Sequence, residues 1–265
     1  MIKEMEVNVI YNEDCLETMK RMPADFIDMT LTSPPYDNLR DYKGYSFDFE
    51  SIAKELFRIT KQGGVVVWVV NDSVIDGGES GSSFKQALYF KEIGFTLYDT
   101  MIYEKNGSSF PDKTRYYQCF EFMFILSKGK PKTLNLLCDR KNNWQGSWGN
   151  RSRRGKDGEL VVGEKIPYKE FGIRFNIWRY NTGHGFSSKD ETAFEHPAIF
   201  PEKLASDHIK SWSNEGDLIY DPMCGSGTSC KMALMLKRNY IGSEISSDYV
   251  KLAEDRVKSI SNPLF

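Results

Sequence analysis

A strand-like run, FIDMTLT (26–32), ends in Thr32-Ser33-Pro34-Pro35-Tyr36. Two adjacent prolines remove two backbone N–H groups and fix φ at both positions. A turn built this way is stiff and presents its carbonyl oxygens outward. The Pro34 carbonyl and the Ser33 hydroxyl then form a pair of acceptors, and Tyr36 adds a ring face for stacking. Such a pair suits an amino group attached to an aromatic ring. That amine is a poor nucleophile, because its lone pair is delocalised into the ring. Holding both of its hydrogens favours a pyramidal nitrogen and aims the lone pair at an electrophile. The contribution is orientation and electrostatics. Ser33 is a weak base, so proton loss is expected to follow the transfer. Ser33, Pro34, Pro35 and Tyr36 are the catalytic candidates.

A second constellation lies far downstream. LIYD (218–221) runs into DPMCGSGT (221–228) and then a helical pattern. Gly225 and Gly227 allow a sharp turn and a close approach of the backbone to a ligand. The next strand, YIGSEI (240–245), carries Glu244 near its end, 17 residues after Gly227. A carboxylate there can accept both hydroxyls of a ribose, which implies a nucleoside cofactor. The third glycine of GxGxxG is missing, Cys230 standing there, and GxxxxGK[ST] is absent. Phosphate cradling is therefore disfavoured. A phosphate-free nucleoside such as S-adenosyl-L-methionine fits the pattern better than a dinucleotide or ATP.

These residues need a scaffold, and the pattern along the chain supplies one. FESIAKELFRIT (49–60) has helical spacing and is followed by KQGG, which reads as a breaker. VVVWVV (65–70) is apolar throughout, as in a strand buried on both faces. SSFKQALYFKEIG (82–94) reads as a helix with a serine start and a glycine stop. LYDTMIYE (97–104) and FEFMFILSKG (120–129) read as strands. Regular patterning fades between about 135 and 180. It returns as helix (200–213), strand (218–221), helix (228–239), strand (240–245) and helix (248–260). Strands alternating with helices predict an α/β fold with a mainly parallel sheet and helices on both faces.

Composition narrows the class. The 265 residues are 40% hydrophobic, enough for one large α/β domain with a modest insertion. No apolar run approaches the roughly 20 residues of a membrane helix. The N-terminus lacks a secretory signal core, so no membrane association and a cytoplasmic location are expected. Five cysteines without CxxC spacing and three histidines argue against disulfides and a metal site. The net charge of −2 conceals a basic stretch: nine Lys or Arg against one acid from Lys128 to Lys156. Such a stretch is an electrostatic footprint for nucleic acid, although a solvated loop has the same composition.

TSPPY followed downstream by DPMCGSGT resembles the amino-group DNA methyltransferases, in the permuted order of their β group. NEDCLETM (12–19) is similar to the segment whose aspartate, here Asp14 beside Cys15, meets the cofactor adenine. ITKQGGVVVWV (59–69) resembles a lysine-proline-glycine-glycine turn, with Gln62 in the proline position. HPAIFPEKL (196–204) resembles the segment that encloses the methionine moiety, which brings in His196, Pro197, Phe200 and Lys203. The loop match adds Thr32, Asp221, Pro222, Met223, Ser226 and Thr228, and the ribose strand adds Glu244 and Ile245.

The resemblance implies a circularly permuted methyltransferase fold with a seven-stranded, mostly parallel sheet. It implies a catalytic half (1–134), a target-recognition insertion (135–190) and a cofactor-binding half (191–265). The implied reaction is methyl transfer from S-adenosyl-L-methionine to a base amine in duplex DNA, leaving S-adenosyl-L-homocysteine, with no metal. Ser33 in the first position of the turn points to cytosine N4, adenine N6 being the alternative. A non-catalytic DNA-binding protein of the same fold is a more distant alternative, against which the intact turn and loop argue. Candidates for DNA contact are Arg40, Arg140, Lys141, Asn142, Asn143, Arg151, Arg153, Arg154 and Lys156. Trp144 and Trp148 are expected to pack their own loop, and His184 lies in a glycine-flanked turn. A restriction-modification setting, a cognate restriction endonuclease and a homodimer are left open by the resemblance.

Overall fold

Val65–Val70 is apolar at every position, and the computed structural model buries all six residues at the centre of a sheet. The structure describes residues 5–35, 47–107, 114–143, 152–162, 169–183, 185–188, 190–195, 199 and 201–261. The chain begins with β1 (Val9–Tyr11), α1 (Cys15–Arg21), β2 (Ile27–Thr32), α2 (Phe49–Ile59) and β3 (Thr60–Val70). A small hairpin, β4 (Val74–Ile75) with β5 (Gly78–Glu79), precedes α3 (Ser82–Glu92), β6 (Thr96–Lys105) and β7 (Phe120–Ser127). Two more hairpins follow, β8 (Arg140–Lys141) with β11 (Phe171–Gly172) and β9 (Ser152–Arg154) with β10 (Leu160–Val162). The chain returns through β12 (Ile177–Tyr180), α4 (Glu202–Trp212), β13 (Leu218–Asp221), α5 (Thr228–Met235), β14 (Asn239–Ser243) and α6 (Ser247–Ser261).

The main sheet has the order β1-β14-β13-β2-β3-β7-β6-β12. It is parallel except around β7, which runs antiparallel to both β3 and β6. The expected seven strands are thus joined by an eighth. IWRY (177–180) lies in the stretch without clear patterning, yet alternates exposed and buried residues and pairs in parallel with β6. Residues 136–175 form a compact unit of their own, and the rest of the chain forms the other.

Side chains alternate across β3. Val66, Trp68 and Val70 face a core built with Met19 of α1, Leu56 of α2 and Phe90 of α3. Trp68 is fully buried, meets Phe90 edge to face at 5.2 Å, and donates its indole N–H to Gln86 at 2.8 Å. Each such buried side chain contributes about 1.5–3 kcal/mol.

Two expectations are corrected. KQGG does not break the chain but lies within β3, where the pairing with β2 shifts register between Ile27 and Met29. Gly63, at φ +78°, makes this bulge possible, and its N–H and C=O bond the turn at Lys128 and Lys132. The helix expected over 228–239 ends at Met235. Lys237 takes φ +61°, and the amides of Lys237 and Arg238 close on Leu234 and Ala233, a C-terminal cap that stops the helix.

The amino end of the sheet is fastened by one buried carboxylate. Asp28 accepts the Leu218 amide at 3.0 Å and the ammonium groups of Lys61 at 2.7 Å and Lys132 at 2.5 Å. Burial alone would raise its pKa, but these donors outweigh burial and hold it below the ordinary carboxylate range. Its contribution is therefore full above the unfolded-state pKa and is lost as pH falls through the folded one. Asp28→Ala is expected to destabilise the protein by about 2–4 kcal/mol at neutral pH. Urea denaturation of both forms should show the difference shrinking below about pH 4.

Candidate active site

β1, β14, β13 and β2 are neighbours and parallel, so their carboxyl ends open on the same edge. Connections from β2 lead to β3 on one side, and from β13 to β14 on the other. Strand order therefore reverses between β2 and β13, which leaves a crevice where open α/β sheets bind ligands. The register brings Tyr220 beside Thr30 and Asp221 beside Gly242. Ser33-Pro34-Pro35, leaving β2, thus lies next to the glycine loop leaving β13, with Glu244 on the far side of that loop.

The loop is tight. Gly225 takes φ +49° and Gly227 φ +75°, and the Gly227 amide turns back to the Cys224 carbonyl at 2.7 Å. A Cβ at Gly227 would sit 2.6 Å from that of Ala253, so α6 packs directly against the loop. The Cys224 amide bonds the Ser243 carbonyl at 3.0 Å, and the Gly225 amide donates to one Glu244 oxygen at 3.0 Å. The other Glu244 oxygen accepts the Ser246 amide at 2.9 Å. Glu244 remains half-buried, and burial raises its pKa against these amides. The Ile245 amide supports the carboxylate as a third backbone donor.

Asp221 is buried beneath the loop. Burial pushes its pKa up to about 6, opposed by the Ser229 hydroxyl and the Met223 amide, with Glu244 adding a like charge. Among the described residues no lysine or arginine pairs with Asp221 or Glu244. The site is therefore anionic and suits a ligand that brings positive charge.

β1 closes the other side. The Asn12 side-chain amide donates to the carbonyls of Glu244 at 2.9 Å and Ile245 at 3.0 Å. Asp14 caps α1 through the Leu16 amide at 2.7 Å and stays exposed. Cys15 is buried, and burial pushes its thiol up to about 12, so it is not a nucleophile. Beneath these residues, hydroxyls link Tyr220, Ser243 and Thr18 at 3.0 Å per step.

The sheet edge thus gathers Asp14, Cys15, Thr32, Ser33, Pro34, Pro35, Asp221–Thr228, Glu244 and Ile245. Lys203 stands on α4, where its ammonium group bonds the buried Asp207 at 2.6 Å. Tyr36, Arg40, Arg151, His184, His196, Pro197 and Phe200 lie outside the described residues, as do Trp144 and Trp148. Spacing offered no sign of Asn12 as a clasp, nor of the buried Arg256 beneath the loop.

The 136–175 unit carries most of the basic candidates. Arg140 donates to the Ile173 carbonyl at 2.9 Å and lies 4.5 Å over the Phe175 ring. Asn142 donates to the Lys169 carbonyl at 2.7 Å. Both hold the β8/β11 hairpin together. Lys141, Asn143, Arg153, Arg154 and Lys156 are exposed.

The profile of a family described as DNA methylase, of the N6/N4 type, matches residues 27–255. The chain belongs to this family. It is a DNA methyltransferase of the amino-group class. The orphan methyltransferase M.BamHII of Bacillus amyloliquefaciens is 62% identical over 88% of this chain and 89% of its own length. The DNA adenine methyltransferase YhdJ of Escherichia coli (strain K12) is 25% identical over 97% of this chain and 85% of its own. Among solved structures, the cytosine-N4-specific PvuII DNA methyltransferase superposes with a TM-score of 0.69. It is 20% identical and covers 93% of this chain and 85% of that one. This likeness shows the shared fold.

The raised pKa of Asp221 makes this edge of the sheet a burden on stability. The folded state holds this proton more tightly than the unfolded state, so stability falls as pH rises from about 4 to about 6. Asp221→Asn is expected to stabilise the fold at pH 7, by up to about 3 kcal/mol, with the gain vanishing near pH 4. Thermal and urea melts at both pH values measure this.

Proposed function

We propose that the chain transfers a methyl group from S-adenosyl-L-methionine to the exocyclic N4 of a cytosine flipped out of duplex DNA. The observation that carries the proposal is the adjacency of β2 and β13, which sets an acceptor turn beside a nucleoside-type loop. The residues present suit the donor. Glu244 is half-buried beside the loop as an acceptor for ribose hydroxyls, and Asp14 stands at the adenine side as the family pattern implies. The carboxylates of Asp221 and Glu244, without a cationic partner among the described residues, favour a cationic sulfonium over a neutral nucleoside.

When bound, the donor supplies an electrophilic methyl group on a positively charged sulfur. The protein's own part is to place the amine. The Ser33 hydroxyl and the Pro34 carbonyl accept the two amino hydrogens. The lone pair is thereby aimed into the crevice between β2 and β13, where in-line displacement is geometrically direct. The nitrogen gains the methyl and becomes cationic, and this charge is stabilised by the same two oxygens. One amino proton then leaves past Ser33 to solvent, because the methylated cation is far more acidic than the amine.

Serine at position 33 is the support for cytosine N4 over adenine N6. Extruding the base from the stack costs a few kcal/mol, which contacts in the pocket offset. Tyr36, next to the acceptor turn in sequence, is the candidate stacking ring. The exposed Arg153, Arg154 and Lys156 are the best placed cations for the DNA backbone. Arg140 and Asn142 are assigned to holding their hairpin.

Incubating mixed-sequence DNA with the protein and S-adenosyl-L-methionine, then analysing nucleosides by mass spectrometry, tests the reaction. N4-methylcytosine is expected. N6-methyladenine would move the substrate to adenine and leave the mechanism standing, and an unmodified product pool would overturn it. Ser33→Ala is expected to lower kcat by about a hundredfold or more with donor affinity unchanged; equal losses in both would remove Ser33 from the chemistry.

Replacing Arg153 and Arg154 together with glutamine should weaken DNA binding at every sequence. The slope of log K against log salt should drop by about two. An unchanged slope would take this hairpin out of the interface.

A further inference from the structure

Arg256 on α6 is 1% exposed, and its guanidinium is engaged on every side. One terminal nitrogen donates to the Ser226 carbonyl inside the glycine loop and to the Thr228 hydroxyl at 3.2 Å. The other terminal nitrogen reaches Glu202 at 3.0 Å, and Nε reaches Asp190 at 2.8 Å. Lys231, one turn into α5, pairs with Glu202 at 2.8 Å and approaches Asp190 at 3.6 Å. The Ser188 hydroxyl completes the shell of Glu202 at 2.8 Å. Two cations and two carboxylates thus balance behind the loop, with Arg256 buried and both carboxylates partly exposed.

A buried ion cluster of this kind is seldom a stabilising device, since apolar residues of the same volume often serve stability better. Its use is geometric. The loop has glycines at positions 225 and 227, with positive φ at both, so it has few side chains to fix it. Glu244 holds it from the front through the Gly225 amide, and Arg256 holds it from behind through the Ser226 carbonyl. A guanidinium is a rigid planar fork, and its diverging N–H groups match acceptors from three segments at once. Lysine carries the same charge but cannot make this set.

We propose that Arg256 is a positioning residue for the methyl donor: it fixes the backbone of the glycine loop and ties it to Asp190 and Glu202. The inference rests on the assignment of that loop to S-adenosyl-L-methionine. Without the fork, the loop samples conformations that do not fit the donor, and affinity is reduced by the fraction of competent loops. Capture of the donor suffers, while the acceptor turn on β2 is left intact.

The test compares the wild type with Arg256→Lys and Glu202→Gln. Donor affinity is measured by calorimetry, amide exchange of residues 224–228 is followed in the donor-free protein, and KM and kcat are separated. Wild-type binding of the donor comes first; its absence would defeat the assignment of the loop, not the role of Arg256. In Arg256→Lys, donor Kd and KM should rise about tenfold or more. Loop amides should exchange faster, and kcat at saturating donor should change by less than about threefold. Glu202→Gln, which keeps a neutral acceptor for Arg256, should show the same pattern more weakly. If Arg256→Lys does not fold, a severalfold rise in donor Kd for Glu202→Gln at unchanged DNA affinity supports the proposal. In a folded Arg256→Lys, unchanged donor Kd and loop exchange, with only a lower Tm, would make Arg256 a structural brace and overturn it. A loss confined to kcat would overturn it as well.

Discussion

The hydrogen bond from the Gly225 amide to the Glu244 carboxylate joins the ends of two neighbouring strands, and the rest of the site is arranged around it. It fixes a loop that contains two glycines and orients the carboxylate at its side. It also requires β13 and β14 to be adjacent and parallel, which the sheet provides through the pairing of Asp221 with Gly242. β1 completes the constraint, because Asn12 clasps the carbonyls of Glu244 and Ile245 from the other flank. A short edge strand of three residues is thereby given a task beyond pairing.

Two carboxylates without a cationic partner among the described residues set the chemistry of this edge. Burial raises both Asp221 and Glu244, and the Glu244 charge raises Asp221 further. Other carboxylates meet cations, Asp28 two lysines, Asp207 Lys203, and Glu202 both Arg256 and Lys231, while the buried Asp72 is held by serine hydroxyls and the Ser83 amide. Asp221 and Glu244, at the carboxyl end of the sheet, have no such cation among the described residues. There the fold tolerates a loss of stability that a cationic ligand would relieve, the pattern expected where function and stability compete.

The elements that position the site were legible because their signals are local. Two prolines at 34 and 35 and glycines at 225 and 227 constrain the backbone whatever surrounds them. VVVWVV could only be a doubly buried strand or a buried helix, and its β-branched residues decide for the strand. KQGG misled for the opposite reason. A glycine pair reads as an ending, but here a partner strand and the Lys128–Lys132 turn supply hydrogen bonds that continue the strand through a bulge. IWRY is too short to stand out, and its place in the sheet comes from β6, about 75 residues upstream.

The candidate site was half legible for the same physical reason. Residues assigned to a ligand by their own type and turn, such as Ser33 or Glu244, announce themselves. Residues that act through another do not. Arg256 meets Glu202 across 54 positions and Asp190 across 66, and no spacing rule connects them. The basic insertion shows the limit from the other side: composition marked every cation between 140 and 156 alike, whereas Arg140 closes its own hairpin and Arg153 and Arg154 stand free of such a task in exposed β9. Charge in a sequence gives the number of cations available. Only the bonds they make in the folded chain determine which are left for a partner.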